Sequence, residues 1–265
     1  MTTTSTADEP ILVVGDLTKR FGGLRAVDRA SFTVARRSIT ALIGPNGAGK
    51  TTLLDLISGY DRPDEGGVRF EGRRIDGLAS HRVARRGIVR TFQLTRVFAA
   101  MSVRDNMMLG AQRHPGEVLH RLAFSRAAVR RAEAAARERA ELLLRAFALE
   151  VKASEYAGAL SGGQRKLLEL ARALMAEPRL LLLDEPMAGV NRALGAKLLD
   201  EVERLRREEG MTFLFIEHDM DIVMQRADRV VVMAEGQVVA EGPPEFIRRD
   251  QRVIDAYLGR RGNAA

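Results

Sequence analysis

Apolar and polar residues follow two different periods along this chain of 265 residues. Short runs rich in leucine or β-branched residues predict strands, and they lie at 11–15, 31–35, 39–44, 68–72, 180–184, 212–217, 229–233 and 237–242. Stretches in which apolar residues recur every three or four positions predict helices. One begins at Lys50, one covers 163–177 before Pro178, and one covers 192–210 and ends at a glycine. Strands that alternate with helices predict a mostly parallel α/β sheet.

Two regions depart from this alternation. Short strands crowd into the first 75 residues, with turn signals such as "PDEGG" at 63–67, and predict an added antiparallel sheet. Residues 124–150 are rich in Ala, Arg and Glu and predict a solvated helix with an apolar stripe. Oppositely charged residues lie four apart in that helix, namely Glu133 with Arg137 and Glu141 with Arg145. We expect a helical insert over about 98–164, which splits the α/β core into 11–97 and 165–240.

The two ends of the chain predict peripheral structure. Residues 1–10 lack the basic start and apolar stretch of a secretory signal, and they predict a short disordered leader. Residues 241–265 predict a C-terminal helical extension and tail. The apolar residues of that extension suit an amphipathic helix packed on the core, and they are Phe246, Ile247, Val253, Ile254, Tyr257 and Leu258.

Composition narrows the classes of protein that remain. No run of eighteen apolar residues is present, so no transmembrane helix is expected. The chain has no cysteine, which excludes disulfides and thiolate metal sites and favours a cytosolic protein. The net charge of +7 permits nucleic acid, an anionic membrane surface or a phosphate ligand as a partner. There is no Trp and only three Tyr, so no aromatic-rich basic patch accompanies that charge.

The segment "GPNGAGKT" at 44–51 matches G-x-x-x-x-G-K-T, and it stands between a predicted strand and a predicted helix. Glycines let the backbone turn tightly, so several N–H groups converge on phosphate oxygens at the positive end of the helix. Lys50 reaches the β- and γ-phosphates, and the Thr51 hydroxyl is a candidate Mg²⁺ ligand. The candidate nucleotide-binding residues are Gly44, Pro45, Asn46, Gly47, Ala48, Gly49, Lys50, Thr51 and Thr52.

The run "LLLLDEP" at 180–186 places two adjacent carboxylates at the end of a buried strand. Asp184 can hold Mg²⁺ beside phosphates bound by the loop at 44–51. Hydrolysis of a phosphoanhydride also needs a group that orients and polarises water in line with the γ-phosphate. Glu185 is the next residue and is the candidate for that catalytic role.

A third segment, "LSGGQ" at 160–164, stands directly before a helix. Ser161, Gly162 and Gly163 expose N–H groups at a helix N-terminus, which is a second anion site. Together with the phosphate loop and the Asp-Glu strand, this segment resembles the signature of ATP-binding cassette (ABC) ATPases. The resemblance covers nearly the whole chain. It implies a P-loop NTPase fold with a RecA-like core, an antiparallel β subdomain and an inserted α-helical subdomain.

The resemblance also implies roles for residues that mean little alone. Phe21 in "LTKRFGG" matches the aromatic that stacks on adenine, and Gln93 in "VRTFQ" matches the catalytic glutamine that touches Mg²⁺. His218 in "FLFIEHD" matches the histidine that contacts the γ-phosphate. The family binds ATP between two subunits, so Ser161, Gly162, Gly163 and Gln164 of one chain would cover the nucleotide of the other. Asn191 departs from the usual Asp at its position, which removes a charge there.

Segments that extend beyond the shared family motifs resemble one branch of the family. The segments "GIVRTFQLTRVFAAMSVRDN" (87–106), "EPMAGVN" and "PEFIRRDQRVIDAYLG" (244–259) look like ATPase subunits of bacterial branched-chain amino-acid importers. Such a subunit hydrolyses ATP with Mg²⁺ at the cytoplasmic face of the inner membrane, as a peripheral protein. Its implied partners are transmembrane permease subunits, a second ATP-binding subunit and, indirectly, an external substrate-binding protein. The segment at about 94–104 is the expected permease-docking surface.

Three alternatives remain from the sequence. Related ATPases that serve importers of urea or short-chain amides are close neighbours of this branch. Soluble cassette ATPases that act on nucleic acid or ribosomes usually carry two cassettes or long inserts, whereas this chain has one cassette and a modest insert, and we expect no nucleic-acid partner. A non-catalytic cassette would not be expected to keep Lys50, Asp184, Glu185 and His218 together.

Overall fold

The computed structural model describes residues 9–91, 97–111 and 126–258. Most of the predicted leader, residues 1–8, lies outside this description. The chain forms two compact units. The described residues of the first unit come from Met1–Arg90, Arg179–Pro186 and Glu203–Ala265, and those of the second come from Thr91–Pro178 and Met187–Val202.

In the described residues of the first unit, four strands form an antiparallel sheet in the order β2-β1-β4-β5. The strands are β1 (Leu12–Phe21), β2 (Leu24–Val34), β4 (Glu65–Phe70) and β5 (Arg73–Arg74). Leu12 is paired with Val34 on one side and with Phe70 on the other. Buried residues of β1 alternate with more exposed ones, as expected for an antiparallel sheet with one covered face. This sheet is the antiparallel addition that the strand-rich beginning of the sequence predicts.

A second sheet in this unit has, among the described residues, six strands in the order β10-β9-β3-β8-β7-β6. They are β3 (Ile39–Ile43), β6 (Ile88–Arg90), β7 (Leu180–Asp184), β8 (Thr212–Ile216), β9 (Arg229–Ala234) and β10 (Gln237–Gly242). All neighbours are parallel except β9 and β10. Every residue of β3, β7 and β8 is buried, because strands covered on both faces need continuous apolar runs. The prediction of a mostly parallel sheet is confirmed.

Helices of the first unit flank these strands. They are α1 (Lys50–Ser58), α2 (Ser80–Arg85), α7 (Met220–Arg226), α8 (Pro244–Ile247) and α9 (Gln251–Leu258). Gly59 follows α1 in the left-handed conformation (φ 73°), which ends the helix at a residue that has no Cβ to strain. Asp219 caps α7 by accepting hydrogen bonds from the N–H groups of Asp221 and Ile222.

The second unit is mainly helical. It contains α3 (Val103–Met108), α4 (Arg126–Ala146), α5 (Gly162–Leu174) and the first part of α6 (Arg192–Glu208). The apolar stripe of α4 is buried, as the amphipathic pattern predicts. Its buried residues are Ala140, Leu143 and Leu144, and Phe147 just after the helix is buried too. Arg145 is paired with Glu150, 3.8 Å away, beyond the end of the helix. In the parts of the chain that the structure describes, no helix is both long and apolar enough to span a bilayer.

One prediction for the C-terminal extension is wrong. Ile247 and Val253 are buried against the core, but the side chain of Phe246 is 69% exposed. The reason is that α8 has only one turn, and its buried face is occupied by Pro244 and Ile247, three residues apart. Phe246 therefore lies on the outer side of that turn.

Candidate functional site

The phosphate loop lies between the buried strand β3 and helix α1, as the motif predicts. Gly44 has φ 149°, and a Cβ there would lie 2.1 Å from the carbonyl oxygen of Met233. Gly49 has φ 97°, and a Cβ there would lie 2.2 Å from the carbonyl oxygen of Ala26. Only glycine fits these two positions, so the spacing of the motif is set by neighbouring backbone as well as by the tight turn.

The Lys50 side chain is folded into the loop that precedes it. Its Nζ donates hydrogen bonds to the carbonyl oxygens of Gly44 (2.8 Å) and Pro45 (3.0 Å). Burial lowers the pKa of the Lys50 ammonium, and the negative charges of Glu185 and Asp184 oppose that shift. A phosphate group is a stronger acceptor than these carbonyls. An anionic ligand can therefore replace them as the hydrogen-bond partner of the Lys50 ammonium.

Strands β7 and β8 bring the predicted catalytic carboxylate and histidine together. Asp184 is in register with Ile216, and the Glu185 N–H donates to the Ile216 carbonyl at 3.1 Å. Nε2 of His218 lies 2.6 Å from Oε1 of Glu185. Because the two strands are parallel and adjacent, residues that follow their carboxyl ends meet at one edge of the sheet. Lys50 follows β3, the next strand of that sheet, and completes the cluster.

Glu185 has a left-handed backbone, with φ 50°. This conformation is uncommon for residues other than glycine and costs about 1–3 kcal/mol. Seven other described non-glycine residues also have a positive φ, so the position of Glu185 at the end of β7, rather than its φ alone, marks it as a site residue. The turn re-aims the chain directly after β7 and presents the Glu185 side chain to His218.

Arg90 is a site residue that the sequence did not reveal. Its Nη2 lies 2.9 Å from Oδ2 of Asp184, and its Nη1 lies 2.5 Å from Oδ1 of Asp55 on α1. The Arg90 and Asp184 side chains are each only 4% exposed. The available signal was an arginine at the end of the short apolar run "GIVR", before a motif glutamine. That run was too short for its strand β6 to be predicted.

The prediction that Tyr257 on α9 packs on the core is also wrong, since this residue is 37% exposed. Partial burial of the phenol end of this otherwise exposed residue raises the pKa of the Tyr257 hydroxyl. The sequence predicted only an apolar packing role for this side chain.

The family resemblance assigns roles to Phe21 and Gln93, of which the structure describes only Phe21. Phe21 ends β1 with its side chain 51% exposed, so it is not a core phenylalanine. Nζ of Lys19 lies 5.2 Å from the centre of its ring. An exposed ring is available for stacking on a base. Gln93 lies outside the described residues, so its role stays a prediction.

The signature segment, residues 160–164, lies in the second unit at the start of α5. The Ser161 hydroxyl accepts from the Gln164 N–H (3.2 Å), and Gln164 Oε1 accepts from the Ser161 N–H (3.0 Å). This capping box stabilises the helix start whose N–H groups were predicted to bind an anion. A Cβ at Gly163 would lie 2.6 Å from Leu194 Cδ2, the flexible end of a side chain on α6, so a larger residue there would require Leu194 to move.

Asn191 has a local role at the start of α6. Its Oδ1 accepts a hydrogen bond from the Leu194 N–H at 2.9 Å, which is the contact of a helix N-cap. Asn and Asp cap helices about equally well. The departure from the usual Asp therefore keeps the cap and removes only the charge.

Oxygen donors for a cation lie close to the phosphate loop. Asp184 supplies a carboxylate and Thr51 an exposed hydroxyl at the start of α1. No cluster of three or more His, Asp or Glu side chains able to hold a metal alone occurs within residues 9–91, 97–111 and 126–258. Such a sparse donor set is typical of Mg²⁺, which is usually held by one or two carboxylates together with substrate phosphates.

Comparison with known proteins agrees with this geometry. Residues 27–188 match the family model described as "ABC transporter", and residues 237–262 match "Branched-chain amino acid ATP-binding cassette transporter". The high-affinity branched-chain amino acid transport ATP-binding protein BraF of Pseudomonas aeruginosa is 43% identical, over 94% of this chain and 98% of that protein. The corresponding protein LivG of Escherichia coli K12 is 38% identical, over 95% of this chain and 98% of LivG.

Solved structures give the same result for the fold. A nucleotide-free ATP-binding cassette from an ABC transporter matches with a TM-score of 0.81 and 37% identity, covering 94% of this chain and 99% of that one. The ADP conformation of an ABC transporter cassette matches with a TM-score of 0.80 and 36% identity, covering 95% and 99%. The predicted α/β P-loop fold is confirmed as an ABC ATPase cassette. The chain belongs to the ABC transporter family, as one of its ATP-binding cassettes.

Proposed function

We propose that the chain is the ATP-hydrolysing subunit of a bacterial importer that takes up branched-chain, hydrophobic amino acids through separate permease subunits. The observation that carries the proposal is the meeting of Lys50, Asp184, Glu185 and His218 at one edge of the parallel sheet. The match of residues 237–262 to a branched-chain cassette model and the names of the relatives support the class of solute.

In this proposal ATP lies with its adenine against Phe21 and its phosphates in the loop at 44–52. Backbone N–H groups of the loop bind the phosphate oxygens, and the start of α1 adds its positive end. Lys50 exchanges the carbonyls of Gly44 and Pro45 for the β- and γ-phosphates. The exchange favours binding because hydrogen bonds between ionised partners are about twice as strong as neutral ones.

Glu185 accepts a hydrogen bond from the attacking water and orients it in line with the γ-phosphate. His218 holds the Glu185 carboxylate at 2.6 Å and contacts the γ-phosphate itself. The left-handed turn at Glu185 fixes the side chain in this position before the substrate arrives. Gln93 contributes to the same reaction from the segment that follows Arg90.

The residues that would hold Mg²⁺ are Thr51, Asp184 and Gln93. Their oxygen atoms fit this ion, because Mg²⁺ prefers oxygen ligands and keeps several waters. When bound, the ion would supply positive charge that neutralises the negative charge developing on the phosphate oxygens during hydrolysis. Asp184 is buried at the end of β7, so its carboxylate is held in one place for that purpose.

Two cassettes would complete each nucleotide site. The signature residues Ser161, Gly162, Gly163 and Gln164 of a second ATP-binding subunit cover the γ-phosphate bound by the first. Each subunit carries one phosphate loop and one separate anion site at the start of α5, which gives it a reason to dimerise. Closure on ATP and opening after hydrolysis would drive the permease between its two orientations.

The permease-docking surface in this proposal is the segment at 94–104, of which residues 97–104 are described. The Phe98 side chain is 53% exposed there. The fully buried Asn106 fixes the backbone beneath it, since its Oδ1 accepts from the Phe98 N–H at 2.9 Å and its Nδ2 donates to the Phe98 carbonyl at 3.0 Å. An exposed aromatic on a fixed backbone is typical of an interface anchor.

The proposed location is the cytoplasmic face of the inner membrane, where the subunit is held by the permease as a peripheral protein. A substrate-binding protein outside the membrane would deliver the amino acid. The domain assignment that goes with this function is an α/β core at 11–97 and 165–240, a docking insert at 98–164 and a C-terminal extension at 241–265. The two compact units divide the chain differently, since they place residues 165–178 and 187–202 with the helical unit.

The test measures ATPase stimulation. The purified chain is reconstituted with its co-purified permease subunits, and phosphate release is compared with and without them, and with DNA, RNA or ribosomes. Stimulation by the permease alone is the expected result. Stimulation by nucleic acid or ribosomes, with none by the permease, would contradict the proposal. An uptake screen over leucine, isoleucine, valine, urea and short amides then separates the amino-acid importer from its urea and amide relatives.

A further inference from the structure

Arg90, at the end of strand β6, places a buried cation between helix α1 and strand β7. Its guanidinium binds Asp184 of β7 at 2.9 Å. On the α1 side it binds Asp55 at 2.5 Å and lies 3.4 Å from the Ser58 hydroxyl. The ring of Tyr60, just beyond α1, lies 6.0 Å from the guanidinium carbon. One side chain from an edge strand therefore joins a helix to a strand within the first unit.

Of the two carboxylates that Arg90 joins, Asp184 is itself a predicted magnesium ligand, and Asp55 lies on the helix that carries another, Thr51. Asp55 is four residues after Thr51 on α1, so the two share one face of the helix. Arg90 is in register with Leu182, and Asp184 is two residues further along the same face of the sheet. The Arg90 link thus connects the helix that carries the Thr51 hydroxyl to the strand that carries the Asp184 carboxylate.

We propose that Arg90 is a positioning residue of the magnesium site, which holds the Asp184 carboxylate and ties it to α1. This inference rests on the proposed nucleotide site and deepens it. Arg90 binds Oδ2 of Asp184, and Oδ1 is the oxygen that would serve the hydrated ion. Carboxylates that ligate metals are commonly held by such hydrogen bonds, and loss of the partner typically weakens metal affinity by about 10- to 100-fold.

A competing role would be that Arg90 occupies the place of the ion and leaves when it binds. The geometry favours positioning, because Arg90 is itself held from the α1 side by Asp55 and Ser58. Because the Arg90 guanidinium is held by two groups on α1, it can stay in its position without its bond to Asp184. The two roles predict opposite effects of removing the guanidinium. Loss of a positioning group weakens Mg²⁺ binding, whereas loss of a competitor strengthens it.

The test compares nucleotide binding with and without the metal. Binding of a fluorescent ATP analogue is titrated to the full-length protein in EDTA, and then over a range of Mg²⁺ concentrations. The variants are Arg90→Met, which removes the charge, and Arg90→Lys, which keeps the charge but cannot bind both carboxylates as the planar guanidinium does. Arg36→Met is the matched control, because Arg36 is paired with Glu71 (3.1 Å) before β3, at the end of that strand opposite the phosphate loop.

We expect binding in EDTA within about twofold of wild type for Arg90→Lys, because the phosphate loop and Lys50 are unchanged. The Mg²⁺ concentration that gives half of the metal-dependent change in nucleotide binding should rise about 10- to 100-fold in both Arg90 variants. It should stay unchanged in Arg36→Met. A thermal unfolding curve shows whether Arg90→Met is folded. If it is not, Arg90→Lys alone still tests the proposal.

Three outcomes would overturn the proposal for Arg90. They are an unchanged Mg²⁺ midpoint, a lower midpoint, and an equal loss of binding with and without Mg²⁺, which indicates a merely structural role. In each of these, wild-type protein still binds the nucleotide with Mg²⁺ and the proposed function stands. If wild-type protein binds no nucleotide at all, the proposed function itself fails and the Arg90 proposal fails with it.

Discussion

Substitution of Glu185 by glutamine removes one carboxylate charge and leaves the shape of the side chain. Glutamine keeps an Oε1 acceptor for His218, which lies 2.6 Å from Oε1 of Glu185. It also tolerates the φ of 50° at this position about as well as glutamate does. The change therefore isolates the ability of residue 185 to polarise water.

The structure separates the expected size of the catalytic effect from that of the stability effect. The His218 and Glu185 side chains are 44% and 19% exposed, and such solvent-accessible pairs contribute about 0–1 kcal/mol. The unfolding midpoint of this 265-residue chain should then fall by less than about 4 °C. Loss of a group that polarises the attacking water slows the reaction by about 100- to 10,000-fold, which is about 2.7–5.5 kcal/mol in the barrier.

The assay is phosphate release by the reconstituted complex, with binding of a fluorescent ATP analogue measured in parallel. Glu177→Gln is the matched control, because Glu177 also has φ 50° but is 73% exposed in the turn after α5. We expect at least a 100-fold loss of turnover for Glu185→Gln, with binding within about threefold of wild type and an unaffected control. Turnover within about threefold of wild type would refute the role of Glu185.

The remaining predictions concern binding and stability. Lys50→Ala should weaken ATP binding by about 10- to 100-fold in equilibrium titration, because a hydrogen bond from a charged donor contributes about 1.5–3 kcal/mol; unchanged binding would contradict the assignment of the loop. Asn191→Ala should lose about 1 kcal/mol of unfolding free energy in urea, since the Leu194 N–H loses its cap, while Asn191→Asp should lose little; equal losses would exclude capping. Leu182→Ala, in the fully buried β7, should cost about 2–5 kcal/mol in the same assay, and a loss below about 1 kcal/mol would show that β7 is not central.

Much of the nucleotide site was predictable because its parts are local in sequence. The phosphate loop, the Asp-Glu strand end and the signature segment each combine a strand or helix boundary with a fixed residue pattern. Adjacent parallel strands then bring Glu185 and His218 together without further information. The alternation of strands with helices likewise predicted the mostly parallel sheet, whose strands β3, β7 and β8 are buried throughout.

Features that depend on tertiary contacts were not predictable in the same way. Strand β6 has three residues and ends in Arg90, so neither its length nor its composition marks it as a strand. The partners of Arg90 lie 35 and 94 positions away in the sequence. Phe246 was expected in the core because it is apolar, but a one-turn helix has too small a buried face to include it.

The central claim is that ATP hydrolysis at this site drives uptake of branched-chain amino acids. Its most direct test is accumulation of radiolabelled leucine in vesicles that contain the chain, its permease subunits and the substrate-binding protein, with ATP supplied on the cassette side. The account predicts uptake that requires ATP and Mg²⁺, is lost with Glu185→Gln, and is competed by isoleucine and valine. Leucine uptake that proceeds equally without ATP, or with Glu185→Gln in place of wild type, would contradict it.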